Sequence, residues 1–283
     1  MTPALTLFAL VAFAANSVLC RLALGHGSAD PASFTFIRLL SGVCALALIC
    51  AVRWRSPEDI ARIRRAGPIP WASAILLFLY AAPFSFAYIS LGAGTGALIL
   101  FACVQATMLA AAMGAGERFR WMEAAGLAIA LAGLTYLVFP GLSAPSPVGS
   151  ALMAIAGISW GLYSLRGRGS TNPIADTTKN FALAFPLSAL LCVSMLKSVH
   201  MSARGLMLAI ASGAFASGLG YVAWYAALRG LTRIRAATVQ LTVPVLAAVA
   251  GVVLIGETVT LRLVLSAILI LGGVGLALAG RAR

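Results

Sequence analysis

The chain has 283 residues, of which 61% are hydrophobic and only 10% are charged. A soluble domain is about half apolar and about a quarter charged, so this composition excludes an ordinary soluble protein and predicts an integral membrane protein. The net charge of +13 could indicate a nucleic-acid partner. The arginines lie between apolar segments, however, so we interpret them as topology signals and expect the partners to be lipid and a small molecule, without nucleic acid.

Ten apolar segments follow one another along the chain. About 20 helical residues, at a rise of about 1.5 Å each, cross a hydrocarbon layer of about 30 Å. The segments therefore predict an all-α membrane protein with ten transmembrane helices. The predicted helices cover residues 3–24, 31–52, 70–90, 93–113, 121–139, 148–166, 174–196, 204–228, 234–254 and 261–280.

Basic residues are distributed unequally between the two sets of loops. Most of the 20 Lys and Arg residues lie in loops on the side of the N-terminus, with the longest charged loop at 53–69. Cytoplasmic loops of membrane proteins carry an excess of Lys and Arg. We therefore expect both termini in the cytoplasm, and we expect the membrane to be the inner membrane of a bacterium.

The two halves of the chain resemble each other. When the second half is shifted back by 140 residues, Gly256 and Glu257 fall on Gly116 and Glu117. A shift of 147 residues places the sixth helix on the first, with Ser164 on Ser17. Similarity between the two halves of a chain is typical of transporters built from structural repeats.

This similarity predicts two five-helix repeats, residues 1–139 and 148–283, joined by a linker at 140–147. Because five is an odd number, the second copy must lie inverted relative to the first. A cavity where two inverted copies meet can open to either side of the membrane. The sequence therefore predicts alternating access to a central cavity.

Several motifs resemble the EamA-type transporters of the drug/metabolite transporter superfamily. They are WGLY in the sixth helix, the run from Gly220 to Leu228, Pro244 followed by VLAAVAGVVLIGE, and a glycine-rich tenth helix. The first half departs from the pattern, because Phe13-Ala-Ala-Asn16 stands where the family often has Trp-Gly-x-Asn and Val104 stands where a proline is usual. The resemblance implies a central cavity lined by helices 1, 3, 4, 6, 8 and 9. It also implies export of amino acids or related metabolites, with aromatic amino-acid exporters as the nearest functional analogy.

Polar and aromatic side chains inside the apolar segments are the candidates for substrate binding. Asn16, Gln105 and Gln240 offer donors and acceptors that suit a zwitterionic amino acid, although each amide could instead join two helices. Aromatic rings at helical spacing could hold an apolar side chain or an ammonium group, with plain packing as the alternative. The predicted cavity lining is Phe13, Asn16, Tyr80, Phe84, Phe101, Gln105, Trp160, Tyr163, Tyr221, Trp224, Gln240 and Pro244.

Three charged residues lie within predicted helices. Arg38, Asp176 and Lys179 are candidates for a gate or for charge recognition. Snorkelling and an ion pair at i, i+3 spacing would also account for Asp176 and Lys179. Glu117 and Glu257 lie at helix ends, where we expect them to cap or anchor helices.

The first helix lacks the carboxylate that small proton-coupled cation exporters place there, and Asn16 occupies the polar position. We therefore expect uncoupled, gradient-driven transport. The five cysteines lie in or beside apolar segments without ligand spacing, so we expect neither a disulfide frame nor a metal or other cofactor.

Three other functions compete with this interpretation. An enzyme would need clustered catalytic groups, whereas the two histidines, His26 and His200, lie apart in loops. A carrier of sugar phosphates or nucleotide sugars would need paired cationic donors at mid-membrane, where only Arg38 and Lys179 are candidates. Proton-coupled export of cationic drugs is weakened by the missing carboxylate. We expect a monomer, with a dimer as the alternative.

Overall fold

The computed structural model describes residues 2–53, 71–114, 121–139, 141, 144–167, 170, 172–228, 230–231 and 239–282. These residues form ten helices and contain no strand beyond an isolated bridge between Ala29 and Met201. The helices are α1 (Thr2–Leu24), α2 (Pro31–Arg53), α3 (Trp71–Ala87), α4 (Ala93–Gly114), α5 (Trp121–Val138), α6 (Pro147–Gly167), α7 (Pro173–Ser194), α8 (Ala203–Leu228), α9 (Thr242–Ile255) and α10 (Leu261–Ala282).

Nine of the ten described helices are markedly apolar. Five of them, α1, α2, α5, α6 and α8, are long and apolar enough to cross a membrane. Shorter apolar helices lie in α3, α4, α9 and α10. The predicted ten-helix membrane fold is confirmed, and the predicted helix ends agree within three residues wherever the structure describes them. The start of the ninth helix is the exception, since residues 232–238 lie outside the described part.

Contacts between helix ends establish the direction of the helices. Arg21, in the last turn of α1, donates to the carbonyl of Tyr88, just beyond the last turn of α3, at 3.1 Å. At the opposite end, Arg166 in the last turn of α6 donates to Ser73 in the first turn of α3, also at 3.1 Å. The end of α1 and the end of α6 therefore lie on opposite sides of the bundle. These two helices, the first of each predicted half, run in opposite directions.

The contacts between helices are nearly symmetric in the two halves. When two helices are in contact, the two helices numbered five higher or lower are usually in contact as well. In the first half, α1 packs against α8 and α9, and α2 packs against α8. Correspondingly, α6 packs against α3 and α4, and α7 packs against α3. The pairs α2 with α7, α4 with α9 and α5 with α10 complete the pattern. This is the packing expected of two inverted five-helix halves, while the repeat boundaries at 139 and 148 stay a prediction.

Candidate functional site

Aromatic and polar residues from both halves meet in the interior of the bundle. They come from α1, α2 and α3 of the first half and from α6 and α8 of the second. All of them are buried. We call this group the central cluster, and it consists of Phe13, Asn16, Arg38, Tyr80, Phe84, Trp160, Tyr163, Ser212, Ser217, Tyr221 and Trp224.

Trp160 of α6 lies at the centre of the aromatic part of the central cluster. Its ring centroid lies 4.7 Å from that of Tyr221 and 4.9 Å from that of Tyr80. It also lies 5.6 Å from Tyr163 and 5.8 Å from Phe13. Rings at these separations are in contact, and such pairs add about 0.5–1.5 kcal/mol each beyond the apolar area that they bury. The place predicted for a cavity is therefore filled by rings in mutual contact.

Asn16 connects three helices through its side-chain amide. Its Nδ2 donates to the hydroxyl of Tyr80 on α3 at 3.1 Å. Its Oδ1 accepts a hydrogen bond from Ser212 on α8 at 2.5 Å. The amide thus joins α1, α3 and α8, and it also places a polar group beside the aromatic rings.

Arg38 of α2 lies inside the central cluster, with only 1% of its surface exposed. Its Nη2 donates to the Tyr80 hydroxyl at 3.1 Å, and its Nε donates to the Ser217 hydroxyl at 3.2 Å. The guanidinium carbon also lies 4.9 Å from the ring centroid of Phe84. In the described part of the chain, no carboxylate forms an ion pair with Arg38. The guanidinium is therefore a buried charge with neutral partners.

A π-helical segment in α8 supplies both serines of the central cluster. Residues Ser212–Leu219 form this segment between two α-helical parts. Five residues along an α-helix rotate a side chain to a position about 140° away, whereas the i to i+5 hydrogen bonds of a π-helix return it close to the same side. The segment thereby lets Ser212 reach Asn16 while Ser217 reaches Arg38. Such segments are frequent at functional sites.

Glycines allow α2 and α8 to approach closely beside Arg38. A Cβ added to Gly213 would overlap the carbonyl oxygen of Arg38 and the hydroxyl of Ser41. A Cβ on Gly42 would lie 3.3 Å from the carbonyl oxygen of Gly213 on α8. Small residues permit such close packing between membrane helices. The close approach brings Arg38 into the interior.

Comparison with known proteins adds to this geometry. Residues 147–279 match the model of the EamA-like transporter family. A protein of Pseudomonas aeruginosa that is described only as an uncharacterized protein is 47% identical over 277 residues, which cover 98% of this chain and 94% of that protein. The chain belongs to the EamA-like transporter family. It is accordingly an integral membrane protein and a membrane transporter.

Two further similarities accompany this membership. An uncharacterized transporter of Archaeoglobus fulgidus is 28% identical to this EamA-like transporter over 162 residues, 56% of this chain and 58% of that protein. A solved structure titled as the crystal structure of a protein superposes with a TM-score of 0.68, at 22% identity, over 98% of both chains. At that identity the likeness concerns the fold alone.

Four residues of the predicted cavity lining lie on a different helix pair of the EamA-like transporter. Phe101 and Gln105 are buried on α4, whereas Pro244 is buried in the first turn of α9 and Gln240 is buried just before it. Helices α4 and α9 pack against each other. Gln105 also lines a small cavity between α4, α5 and α10. These residues therefore belong to the seam between the halves but lie outside the central cluster.

Asp176 and Lys179 lie half-buried in the first turns of α7. The Asp176 carboxylate accepts a hydrogen bond from Ser170 at 2.6 Å. Lys179 precedes Asn180, whose amide donates to the Tyr163 hydroxyl at 3.2 Å. These two charged residues thus lie near the start of a helix and are partly exposed, whereas Arg38 is fully buried.

Glu257 and Arg21 join helix ends on one side of the EamA-like transporter, and we call this side the closed end. The Glu257 carboxylate accepts hydrogen bonds from the backbone N–H of Ala93, at 2.8 Å and 3.0 Å, and thereby caps α4 as expected of a residue at a helix end. It also pairs with Arg21, and the two residues line a cavity of about 440 Å³ together with residues of α4 and α9. Glu117, the corresponding residue of the first half, lies outside the described residues.

The sequence pointed to all the aromatic residues of the central cluster but missed several polar residues. Ser212 and Ser217 complete the central cluster, and Arg21 completes the closed end. The run Ser212-Gly-Ala-Phe-Ala-Ser217 signalled only close packing, since serines are common at helix contacts in membranes. Within the described ranges, no group of three or more His, Cys, Asp or Glu residues is arranged to hold a metal ion.

Proposed function

We propose that this EamA-like transporter moves small metabolites out of the cell by alternating access, with amino acids as the main class. The observation that carries the proposal is the central cluster, which takes α1, α2 and α3 from one half and α6 and α8 from the other. Movement of one half against the other must separate or regroup its rings. A substrate bound there would be exposed first to one side and then to the other.

The chemistry of the central cluster suits an amino acid. The faces of Trp160 and Tyr221 offer an apolar surface for a hydrocarbon or aromatic side chain. An ammonium group is attracted to the face of an aromatic ring. Asn16 offers an amide beside these rings, so one site can hold both the polar and the apolar part of such a molecule.

The closed end supports a gate. Arg21 and Glu257 connect the end of α1 with the end of α9, which belong to different halves. We propose that this ion pair breaks when the transporter opens toward that side. With both termini in the cytoplasm of a bacterium, as the distribution of basic residues indicates, this gate faces the outside of the inner membrane.

We further propose that transport is uncoupled and that a single chain is the functional unit. The titratable groups of the central cluster are one arginine and three tyrosines, and such side chains keep one protonation state between about pH 5 and pH 8. The two halves of one chain supply the two sides of the central cluster, so a second copy is not required to form it.

Counterflow in proteoliposomes tests the proposal. Vesicles loaded with one unlabelled amino acid, purine or sugar phosphate at a time are tested for uptake of the matching labelled compound. We expect exchange of at least one amino acid, and we expect Trp160→Ala to lower it about tenfold, which equals about 1.4 kcal/mol of lost interaction. Trp121→Ala is the matched control, because Trp121 is 77% exposed, and it should retain exchange.

The outcome of the screen discriminates between the candidate functions. Exchange of sugar phosphates without any amino acid would contradict the proposal in favour of an anionic-metabolite carrier. One observation favours that alternative, namely the buried charge of Arg38. The central cluster holds a single cation, however, whereas a phosphate dianion calls for paired cationic donors. The same buried cation opposes export of cationic drugs.

A further inference from the structure

Arg38 has hydrogen-bonding capacity that the described residues do not use. A guanidinium carries five N–H donors. Its Nη1 is buried and has no hydrogen-bond partner among the described residues, while Nε and Nη2 bond to hydroxyl groups. The buried hydroxyl of Tyr221 likewise has no hydrogen-bond partner in the part of the chain that the structure describes. The central cluster therefore contains two buried polar groups, Nη1 of Arg38 and the hydroxyl of Tyr221, that form no hydrogen bond with the described residues.

The neutral partners of Arg38 do not balance its charge. A charged side chain inside a membrane protein costs several kcal/mol, and it is usually paired with an opposite charge or faces a cavity. The rings of Phe84 and Tyr80, at 4.9 Å and 5.2 Å from the guanidinium carbon, attract the cation. Such contacts are worth roughly 0.5–2 kcal/mol each. These contacts hold the side chain in place but do not neutralise its charge. An anion is therefore the partner from which Arg38 would gain the most binding free energy.

We infer that Arg38 binds a carboxylate group of the transported molecule through its Nη1 edge, with the Tyr221 hydroxyl as a second donor. The inference rests on the proposed function and narrows its substrate class to molecules that carry one carboxylate. A planar guanidinium fits a planar carboxylate with two parallel hydrogen bonds, which is the strongest form of this contact.

The charge of Arg38 determines which substrate charge the central cluster favours. One cation in the central cluster favours a substrate with one negative group, so zwitterionic amino acids and simple monocarboxylates bind. An amide of the same amino acid lacks the anionic group and keeps its ammonium. It would then place a second positive charge beside Arg38. The carboxylate, rather than the ammonium group, is therefore the feature that the site requires.

Thermal unfolding of the detergent-purified full-length protein measures this requirement without relying on transport. The probes are L-phenylalanine, 3-phenylpropionate and L-phenylalaninamide, followed by the remaining common amino acids. We expect the midpoint to rise with carboxylates and to stay unchanged with the amide. In Arg38→Gln the rise should disappear, corresponding to at least about a tenfold weaker Kd. Arg38→Lys keeps the charge but loses the planar fork, so it should bind with intermediate affinity.

The matched control is Arg166→Gln, because Arg166 bonds only to Ser73 at a helix end among the described residues. It should bind the carboxylates as the unmodified protein does. Equal stabilisation by L-phenylalaninamide and L-phenylalanine would overturn the inference. So would an unchanged Kd in Arg38→Gln, or the absence of stabilisation by every carboxylate tested. If Arg38→Gln folds poorly, the carboxylate-against-amide comparison on the unmodified protein still decides.

Failure of this inference differs from failure of the proposed function. Counterflow of an amino acid that persists in Arg38→Gln with unchanged affinity overturns the role of Arg38 and leaves the proposed function standing. Carboxylate-dependent stabilisation that is lost in Arg38→Gln, without counterflow of any amino acid, has the opposite consequence. It supports the role of Arg38 and contradicts amino-acid transport.

Discussion

The guanidinium of Arg21 forms an ion pair with the carboxylate of Glu257, 236 residues further along the chain, with 3.2 Å between Nε and Oε1. Arg21 also donates to the carbonyls of Tyr88 at 3.1 Å and of Ile89 at 3.0 Å. Glu257 accepts from the N–H of Ala93. Four helices, three from the first half and one from the second, are thereby held together at one end of the bundle.

Neutralising the carboxylate should weaken this closed end. A partly exposed ion pair contributes up to about 1 kcal/mol, so Glu257→Gln should raise the population of the opened state about fivefold. Cys20 precedes Arg21 and is fully buried, which makes it a native reporter of opening. The rate of maleimide modification at Cys20, followed by peptide mass spectrometry, should rise by a similar factor.

Asp176→Asn is the control for this experiment. Asp176 is also partly exposed and accepts a hydrogen bond, but it lies at the start of α7, whereas α7 ends on the side of Arg21. Its neutralisation should leave the Cys20 rate unchanged. An equal increase in both variants would show that opening at Arg21 and Glu257 does not control access to Cys20.

Removing the hydroxyl of Tyr80 should impair folding and transport together. This oxygen accepts from both Asn16 and Arg38, so Tyr80→Phe leaves two buried donors without a partner. Each unsatisfied buried group costs about 1–3 kcal/mol. We expect a lower unfolding midpoint and slower counterflow than in the control Tyr136→Phe, because Tyr136 is 41% exposed. Equal midpoints in the two variants would mean that the hydrogen bonds contribute little.

A methyl group at Gly213 should separate α2 from α8. Its Cβ would overlap the Arg38 carbonyl, and forced overpacking typically costs about 1–3 kcal/mol. Gly272 offers a control on α10, because a Cβ there meets nothing within 4 Å. Thermal unfolding should show a loss for Gly213→Ala and none for Gly272→Ala. A Gly213→Ala protein as stable as the unmodified one would show that the two helices can move apart at no cost.

Transport should not depend on a proton gradient. The named titratable groups of the central cluster are arginine and tyrosine side chains, which do not change charge near neutral pH. Initial uptake into proteoliposomes with and without an imposed pH gradient should therefore differ by less than about twofold, since no proton free energy is coupled to the substrate. Strict dependence on the gradient would mean that a proton-binding group outside the central cluster is coupled to transport.

The ten helices could be predicted because each apolar segment is about as long as a helix that crosses a membrane. Pro31, Pro147 and Pro173 begin helices, where their missing N–H is not needed. Trp160 and Tyr221 could be predicted as candidate cavity residues because they are aromatic residues at helical spacing within apolar segments. These features depend on local sequence, and local sequence is sufficient for them.

The position of Arg38 could not be predicted in the same way. Its number in the chain indicates its depth in the membrane, but the helix face that turns inward depends on how closely Gly42 and Gly213 let α2 and α8 approach. The π-helical segment changes the direction of Ser217 relative to Ser212, and α-helical periodicity predicts the wrong face for it. The pairing of Arg21 with Glu257 depends on the relative placement of the two halves, which no local pattern contains.

Accessibility of one buried position from both sides of the membrane tests the central claim most directly. Ser212→Cys, in a background with the native cysteines replaced by alanine, places a single thiol in the central cluster. A membrane-impermeant thiol reagent is then applied to right-side-out and to inside-out vesicles in separate experiments. Alternating access predicts modification from either side, with protection by the transported amino acid in both cases. Modification from one side only, or from neither side, would contradict a site that both faces of the membrane reach in turn.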